Sequence, residues 1–463
     1  MNTEKLDQVV EELKAIVGEE NVITDPALLY CYSADASINQ HMPDVVVRPG
    51  KTEEVSEVLK LANRERIPVH PRGGGTSLSG SVVPYGGGIV VDMTRMNKII
   101  DIRPADLWCI VEAGVIHADL ERELAKYGLF YPPDPASSES ATIGGTIATN
   151  AGGLRGVKYG TTRDWVLGLE VVLPTGDVIN VGTKTLKTSS GYQLCRLFVG
   201  SEGTLGIITK AVLKLLPIPK ARVRVMGVFD SVVDAARAVS QIFMAGITPG
   251  LLEFVDKNAQ KAINSWLNLG LPETEAILII DLEGSTEEEP LKLAPYLERV
   301  LKENGAIEAR YTSDPEEMNK LYLARAKAYP AMFRLGKPTV LVEDITVPVE
   351  KLPEAVKKVY EITEKHGILM GIIGHIGDGN FHPLLVYDER DPEEVERVMK
   401  CHDEINELAI KLGGTVTGEH AVGKVKAKYF LKEHSPEEIE LMRGIKRVFD
   451  PNGIMNPGIL WGE

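Results

Sequence analysis

Two glycine-dense stretches constrain this chain more than any other feature. The first, Pro71-Arg72-Gly73-Gly74-Gly75-Thr76-Ser77-Leu78-Ser79-Gly80, follows the apolar run Ile67-Pro68-Val69-His70. Successive glycines let backbone N–H groups converge on an anion, and Thr76, Ser77 and Ser79 add hydroxyl donors. The second begins at Pro132-Pro133-Asp134-Pro135, passes Ser138, Thr142, Gly144, Gly145, Ala148, Thr149 and Asn150, and ends at Gly152-Gly153. Small residues at this density permit close backbone approach to a large flat ligand. Ile143 and Ile147 embedded in the stretch argue against a merely flexible surface loop. Neither stretch has the Walker pattern or Gly-x-Gly-x-x-Gly, so a P-loop or Rossmann nucleotide site is not supported.

With 463 residues the chain exceeds one small core and fits two or three domains. A net charge of −15 argues against nucleic acid and anionic membrane as main partners. The four cysteines, Cys31, Cys109, Cys195 and Cys401, form no Cys-x-x-Cys pair, so no iron–sulfur cluster is expected in this chain. Their scarcity suits a reducing cytoplasm. The polar start lacks a signal core, and no apolar run reaches spanning length. Any membrane contact is then expected to be peripheral, through a partner.

Periodicity predicts a helix over 3–17, a short buried strand within Asp44–Pro49, and a helix from Thr52, as cap, to about Glu65. Ile89–Met93 and Cys109–Ala113 read as apolar runs, and Pro174-Thr175-Gly176-Asp177 as a hairpin turn between 169–173 and 178–181. Residues 206–216 read as a strand leaving a domain. From about 220 glycine thins out. Helices are expected near 232–245, 288–304, 315–334, 350–366 and 391–412, with strands near 223–229, 276–282, 340–347 and 368–374. That mixture predicts an α+β domain, an antiparallel sheet covered by helices.

The chemistry-bearing residues concentrate late. His375-Ile-Gly-Asp378-Gly-Asn380-Phe-His382 places two histidines about a tight turn, and Gly418-Glu419-His420 follows. Two imidazoles, a carboxylate and a spare histidine suit one divalent ion, Zn(II), Fe(II) or Mn(II), with positions left open. Histidines at strand ends satisfied by hydrogen bonds would give the same spacing.

Six segments in order carry a resemblance: Arg72–Gly80, Pro133–Gly153, Gly200-Ser-Glu202-Gly203-Thr204-Leu-Gly206-Ile207-Ile208-Thr, His375–His382, Gly418-Glu419-His420 and Asp450-Pro-Asn-Gly-Ile-Met-Asn456-Pro-Gly. The chain resembles the D-lactate dehydrogenase and glycolate oxidase flavin-subunit branch of the vanillyl-alcohol-oxidase and p-cresol-methylhydroxylase superfamily. The resemblance implies a two-subdomain FAD-binding domain over 1–218 and an α+β substrate or cap domain over 219–415. A C-terminal segment, 416–463, would return to the FAD domain. Arg72, Gly73, Gly74, Gly75, Thr76, Ser77, Ser79 and Gly80 would hold the pyrophosphate. Pro133, Asp134, Ser138, Thr142, Gly144, Gly145, Ala148, Thr149, Asn150, Gly152 and Gly153 would run along the isoalloxazine and ribityl chain. Glu202, Gly203, Gly206, Ile207, Ile208 and Asn456 would complete the pocket. Thr76 stands where some members carry the histidine that bonds to the flavin, so the FAD is expected to be non-covalent.

The implied reaction is oxidation of a D-2-hydroxy acid. His375, His382 and Glu419 would be the metal ligands and His420 the general base, since an imidazole titrates near working pH. Asn380 would orient the substrate or bridge to the flavin. Arg325, in Leu321-Tyr-Leu-Ala-Arg325, would fork onto the substrate carboxylate, with Arg334 a weaker candidate. Hydroxyglutarate-preferring relatives place a lysine near Val342-Glu343, and its absence favours D-lactate or glycolate. The family's Gly-Glu-His-Gly reads Gly418-Glu419-His420-Ala421 here. Electrons are expected to pass to a protein partner, an electron-transferring flavoprotein or an iron–sulfur subunit. The competing readings are an electron-relay subunit without turnover and a metallohydrolase, which leaves both glycine stretches unexplained.

Overall fold

The computed structural model describes residues 3–462. By its contacts the chain forms two units. One comprises Met1–Gly152, Thr161–Ile218 and Glu419–Glu463, the other Gly153–Gly160 and Pro219–Gly418.

The first unit holds two sheets. In one, the strands run Val22–Ile23, Val45–Val47, Ile89–Asp92, Val69–Arg72. Ile89–Asp92 pairs in parallel with both Val45–Val47 and Val69–Arg72. Parallel pairing needs a crossover, and the helix Thr52–Glu65 links Val45–Val47 to Val69–Arg72. Val55, Val58, Leu59 and Ala62 of that helix bury against Val45, Val47, Ile89 and Val91, with Val9, Leu13 and Val17 of the helix Thr3–Val17 in the same core. Thr52 is not the cap expected from the sequence. Lys51 occupies that position without a side-chain bond. The Thr52 hydroxyl donates to Glu170 Oε1 at 2.6 Å, while Glu54 accepts from Gly50 N at 2.7 Å.

The second sheet is antiparallel, in the order Ile99–Arg103, Trp108–Glu112, Ile207–Lys214, Val166–Val172, Val178–Gly182. Ile207–Lys214 is its central strand, so the alternation at 207–214 marks a sheet interior.

The other unit is built on one large antiparallel sheet, in the order Ala306–Thr312, Ala221–Phe229, Ala276–Gly284, Leu251–Asp256, Leu369–Gly374, Asn380–Tyr387, Thr339–Val342. Ile345–Thr346 pairs separately with Asn380–Tyr387. Both faces are covered. Leu252, Phe254, Leu278 and Ile280 share a core with the helices Val232–Met244, Glu288–Glu303, Leu352–His366 and Pro392–Lys411. Leu251, Val255, Ile277 and Ile279 share another with Lys257–Leu267, Pro315–Ala326 and Ala328–Met332.

The helix expected over 315–334 ends at Ala326, resumes for Ala328–Met332, and becomes a 3-10 turn at Phe333–Leu335. Pro330 explains the break. It has no N–H to give, and its ring opposes the carbonyl of residue 326.

The α+β architecture follows the sequence expectation. Among the described residues no helix is long and apolar enough to cross a membrane.

Candidate functional site

In the first unit the Gly73–Gly80 loop leaves the carboxyl end of the parallel strand Val69–Arg72, where α/β sheets place ligands. The Arg72 guanidinium lies 5.5 Å from the Tyr32 ring centroid, and its Nη1 is buried without a hydrogen-bond partner among the described residues. The hydroxyls of Ser77, Ser79 and Ser81 lie within 2.6–3.1 Å of one another. A buried cation edge beside a cluster of hydroxyls fits a phosphate-bearing ligand. Thr76 is half-buried in the same loop.

The two glycine stretches lie against each other. A Cβ on Gly73 would come within 2.1 Å of Thr142 Oγ1, and one on Gly74 within 2.0 Å of the Ser140 carbonyl. Gly75 and Gly80 have φ of +68° and +79°. Thr142 caps the short helix Ile143–Thr149 by accepting from Gly145 N, and Gly144 N donates to the Ala113 carbonyl at 2.7 Å. The Pro133 carbonyl meets His117 Nε2 at 2.7 Å, and the Ser138 carbonyl accepts from Ala118 N. Ala148 O accepts from Glu202 N at 2.8 Å, and Thr149 Oγ1 donates to Gly145 O. Asn150, at φ +53°, accepts from the Thr161 hydroxyl and Arg163 N. Asp134 is half-buried. Gly152 lies close against Glu419, since a Cβ there would come within 2.7 Å of Glu419 Oε2 and 3.1 Å of its Cβ. Gly153 belongs to the other unit.

Glu202 does something the sequence did not announce. Its buried carboxylate accepts from Val422 N at 3.0 Å and Gly423 N at 2.8 Å, tying down the segment after Glu419-His420. Burial pushes its pKa up to about 7, against the pull of those bonds. Asn456 Nδ2 donates to the carbonyls of Ser81 and Glu202, and its Oδ1 meets His70 Nδ1 at 2.9 Å. Gly203 has φ +70° and Gly206 packs on the Val172 carbonyl. Ile207 packs into the apolar core, and Ile208 is buried. His420 Nε2 lies 3.6 Å from Glu419 Oε1.

In the other unit the hairpin at 375–382 brings both histidines together, their rings 5.3 Å apart and edge to face. Strand pairing sets this up. Ile373 lies opposite His382, and Phe254 opposite Gly374, which puts Glu253 beside His375. With a period of two, Glu253, His375 and His382 share the face of Val255, Ile373 and Leu384. His375 Nδ1 bonds Glu253 Oε1 at 2.7 Å, and His382 Nδ1 bonds the Glu343 carbonyl at 3.1 Å. Both histidines thus have Nδ1 engaged, which orients each ring. Arg325, from the last turn of Pro315–Ala326, is buried and forms an ion pair with Glu253.

Asn380 donates through Nδ2 to Asp344 Oδ1, the Ile345 carbonyl and Thr346 Oγ1, whereas its buried Oδ1 has no partner among the described residues. Asp344 also accepts from Thr417 Oγ1 at 2.6 Å and Gly418 N at 3.0 Å, fixing the chain one residue before Glu419. Glu343 turns the other way, to His402 and Asn406. Arg334 is exposed, 6.0 Å from the Trp266 ring centroid, and is not part of this cluster.

Glu253, Asp344 and Thr417 were not found from the sequence. The signal for Glu253 was present. It is an acid in the middle of Leu251-Leu-Glu253-Phe-Val, an apolar run that was not read as a strand.

Residues 43–182 match the family described as FAD binding domain, and residues 218–460 match FAD linked oxidases, C-terminal domain. The chain belongs to this FAD-linked oxidase family, and it is an FAD-dependent oxidoreductase. It is 42% identical to the glycolate oxidase subunit GlcD of Bacillus subtilis, over 98% of this chain and 97% of that one. It is 35% identical to the D-lactate dehydrogenase of Anaerostipes hadrus, over 97% and 96%. The crystal structure of p-cresol methylhydroxylase with substrate bound superposes with a TM-score of 0.83 at 19% identity, over 99% of this chain and 97% of that one, which shows the shared fold.

Proposed function

We propose that the chain is a dehydrogenase oxidising a D-2-hydroxy acid, D-lactate or glycolate, to the 2-oxo acid, with FAD bound non-covalently and one divalent metal. The observation that carries the reading is the pair His375 and His382, 5.3 Å apart with Nδ1 of each already engaged. Likeness over nearly the full chain to proteins named glycolate oxidase subunit GlcD and D-lactate dehydrogenase supports the substrate class. When bound, FAD supplies a hydride acceptor and the divalent ion supplies Lewis acidity toward the substrate hydroxyl.

The chain's own residues then divide the work. Arg72 and the hydroxyls of Thr76, Ser77 and Ser79 hold the cofactor's phosphates, and the 133–153 stretch, Glu202–Ile208 and Asn456 shape its bed. His375 and His382, with Glu419 next after Gly418 in the chain, are the metal ligands. His420 takes the hydroxyl proton. Arg325 holds the substrate carboxylate, and Asn380 Oδ1 accepts a hydrogen bond from substrate. The Glu343 carboxylate faces His402 and Asn406, so the 342–343 position offers no cation for a second carboxylate, which favours a monocarboxylate. Electrons leave to a protein acceptor, an electron-transferring flavoprotein or an iron–sulfur subunit.

The test is anaerobic flavin bleaching by D-lactate, L-lactate, glycolate and D-2-hydroxyglutarate, with and without a chelator. Bleaching by D-lactate or glycolate, lost on chelation while FAD stays bound, is expected. No bleaching by any of them would leave an electron relay, and full bleaching of a demonstrably metal-free sample would remove the metal.

A further inference from the structure

Glu253 touches two of the groups assigned above. It lies in the strand Leu251–Asp256 and is 1% exposed. One carboxylate oxygen meets His375 Nδ1 at 2.7 Å, and the other pairs with Arg325 Nε. Those partners come from different elements. His375 follows the strand Leu369–Gly374, and Arg325 closes the helix Pro315–Ala326.

The surroundings make a purely structural role expensive. Leu251, Val255 and Ile373 line the same sheet face. A buried ionised group loses its hydration, and well-packed apolar residues in place of a buried charged set are often neutral or stabilising. A leucine at 253 would have suited this core. The carboxylate must therefore be explained by what it does to its two neighbours. A carboxylate accepts only, so the proton of His375 sits on Nδ1 and the lone pair on Nε2. The other oxygen pairs with the Arg325 guanidinium by charge alone, with no hydrogen bond aligned on its Nε–H, so the carboxylate holds that cation in place electrostatically.

We propose that Glu253 is a positioning residue shared by the metal-ligand histidine and the substrate-binding arginine, so that one buried carboxylate sets both the metal affinity and the grip on the substrate carboxylate. The inference rests on the site reading given under Proposed function. It predicts that both properties fall together when this single side chain is altered. Glutamine shows why. It is neutral, and with its amide oxygen on the Nδ1 proton of His375 its NH2 faces the Arg325 guanidinium, a donor set against a cation that has lost its counter-charge. Relaxation around the mismatch then disturbs the partner that the amide oxygen still reaches.

The experiment uses FAD-loaded full-length protein stripped of metal. Zn(II) and Mn(II) are titrated calorimetrically into wild type and Glu253→Gln, and KM and kcat for D-lactate and glycolate are measured after reloading with the metal in excess. The variant is expected to keep its flavin spectrum, to bind the ions about 10–100-fold more weakly, as removal of a histidine's outer partner does, and to show a raised KM. Should Glu253→Gln fail to fold, Glu253→Asp retains the charge on an arm one methylene shorter and is expected to lose in both readouts. Unchanged metal affinity and unchanged KM, with only a lowered Tm, would make Glu253 structural and overturn the proposal. A change in one readout alone overturns the shared role. A wild-type protein that binds neither ion overturns the site reading first, and the two failures are thereby told apart.

Discussion

The two units offer ligands in opposite ways. The first works through backbone. Its candidate binding groups sit on glycine loops whose conformation is dictated by close approaches, such as Gly74 against the Ser140 carbonyl, and by left-handed residues at Gly75, Asn150, Glu202 and Asn456. The second works through ionisable side chains mounted on a sheet buried on both faces, where Glu253, Asp344, His375 and His382 are each no more than 4% exposed. Backbone loops accommodate a large cofactor by shape and N–H groups. Strand-mounted side chains fix a few atoms tightly, because each strand is locked by its neighbours. A large flat cofactor suits the first kind of site, and a ligand gripped through a few atoms suits the second.

The sharpest way to break this division is to remove one histidine from each unit. His382→Ala should lose the metal and turnover while the flavin spectrum stays as in wild type. His420→Ala should lose about 10²–10⁴-fold in turnover with metal content kept, the usual loss for a missing general base. Metal analysis and kinetics on both variants decide it. If His420→Ala loses metal and recovers its rate at excess metal, His420 is a ligand and the base lies elsewhere.

A smaller effect separates the units by pH. Each carries a buried carboxyl held above its ordinary range. In the first unit Glu202 is pushed up to about 7 by burial. In the second, burial pushes Asp256 up to about 6, although it accepts from Tyr360 Oη at 2.6 Å and Ala259 N at 2.9 Å. Both groups hold a proton in the folded protein at a pH where the unfolded chain has released it. Their contribution is therefore full below about 4, and is lost as pH rises through the folded value. The loss from Asp256 is centred near pH 6 and that from Glu202 near pH 7. Each pKa unit corresponds to ~1.4 kcal/mol, so Glu202 accounts for a fall on the order of 3 kcal/mol between pH 4 and 8. Urea unfolding of FAD-loaded wild type and Glu202→Gln across this range should show the gap between them changing with pH, wild type losing ground as pH rises. A gap that stays constant from pH 5 to 8 would mean that Glu202 does not titrate there.

The same contrast decides what could be read from sequence. Glycine loops announce themselves, because the residue that permits the conformation is the one printed. The positive φ at Gly75, Gly80 and Gly203 needed no tertiary information. The acids Glu253 and Asp256 interrupt the short apolar run of Leu251–Asp256, which gives neither an alternation nor an unbroken apolar stretch, and Glu253 is hidden with it. The exposed edge strand Ala306–Thr312 was too polar to register, and the polar helix Lys257–Leu267 likewise. The histidine hairpin was legible because turn residues stood between its apolar runs. The partners that fix its histidines come from 39 and 122 residues away, and spacing along the chain carries no trace of them. The 315–334 segment shows a plainer omission, since Pro330 lay in view inside the expected helix.

The smallest expected effect lies at Ala421, where the chain departs from the glycine of the family pattern. The structure gives Ala421 a φ of +70° and leaves it 9% exposed, immediately before the two N–H groups that Glu202 accepts from. An L-residue in the left-handed region loses ~1–2 kcal/mol to the clash of its Cβ with the following carbonyl. Glycine removes that clash but loses roughly 0.5–1 kcal/mol more in conformational freedom on folding. The two terms nearly cancel, and Ala421→Gly should raise stability by about 1 kcal/mol or less. Thermal unfolding of the FAD-loaded variant checks it. A fall of more than about 1 kcal/mol would show that the Ala421 methyl fills space this unit depends on. Backbone permissiveness would then not be the whole account of how the first unit is held, and the contrast with the side-chain-built second unit would narrow.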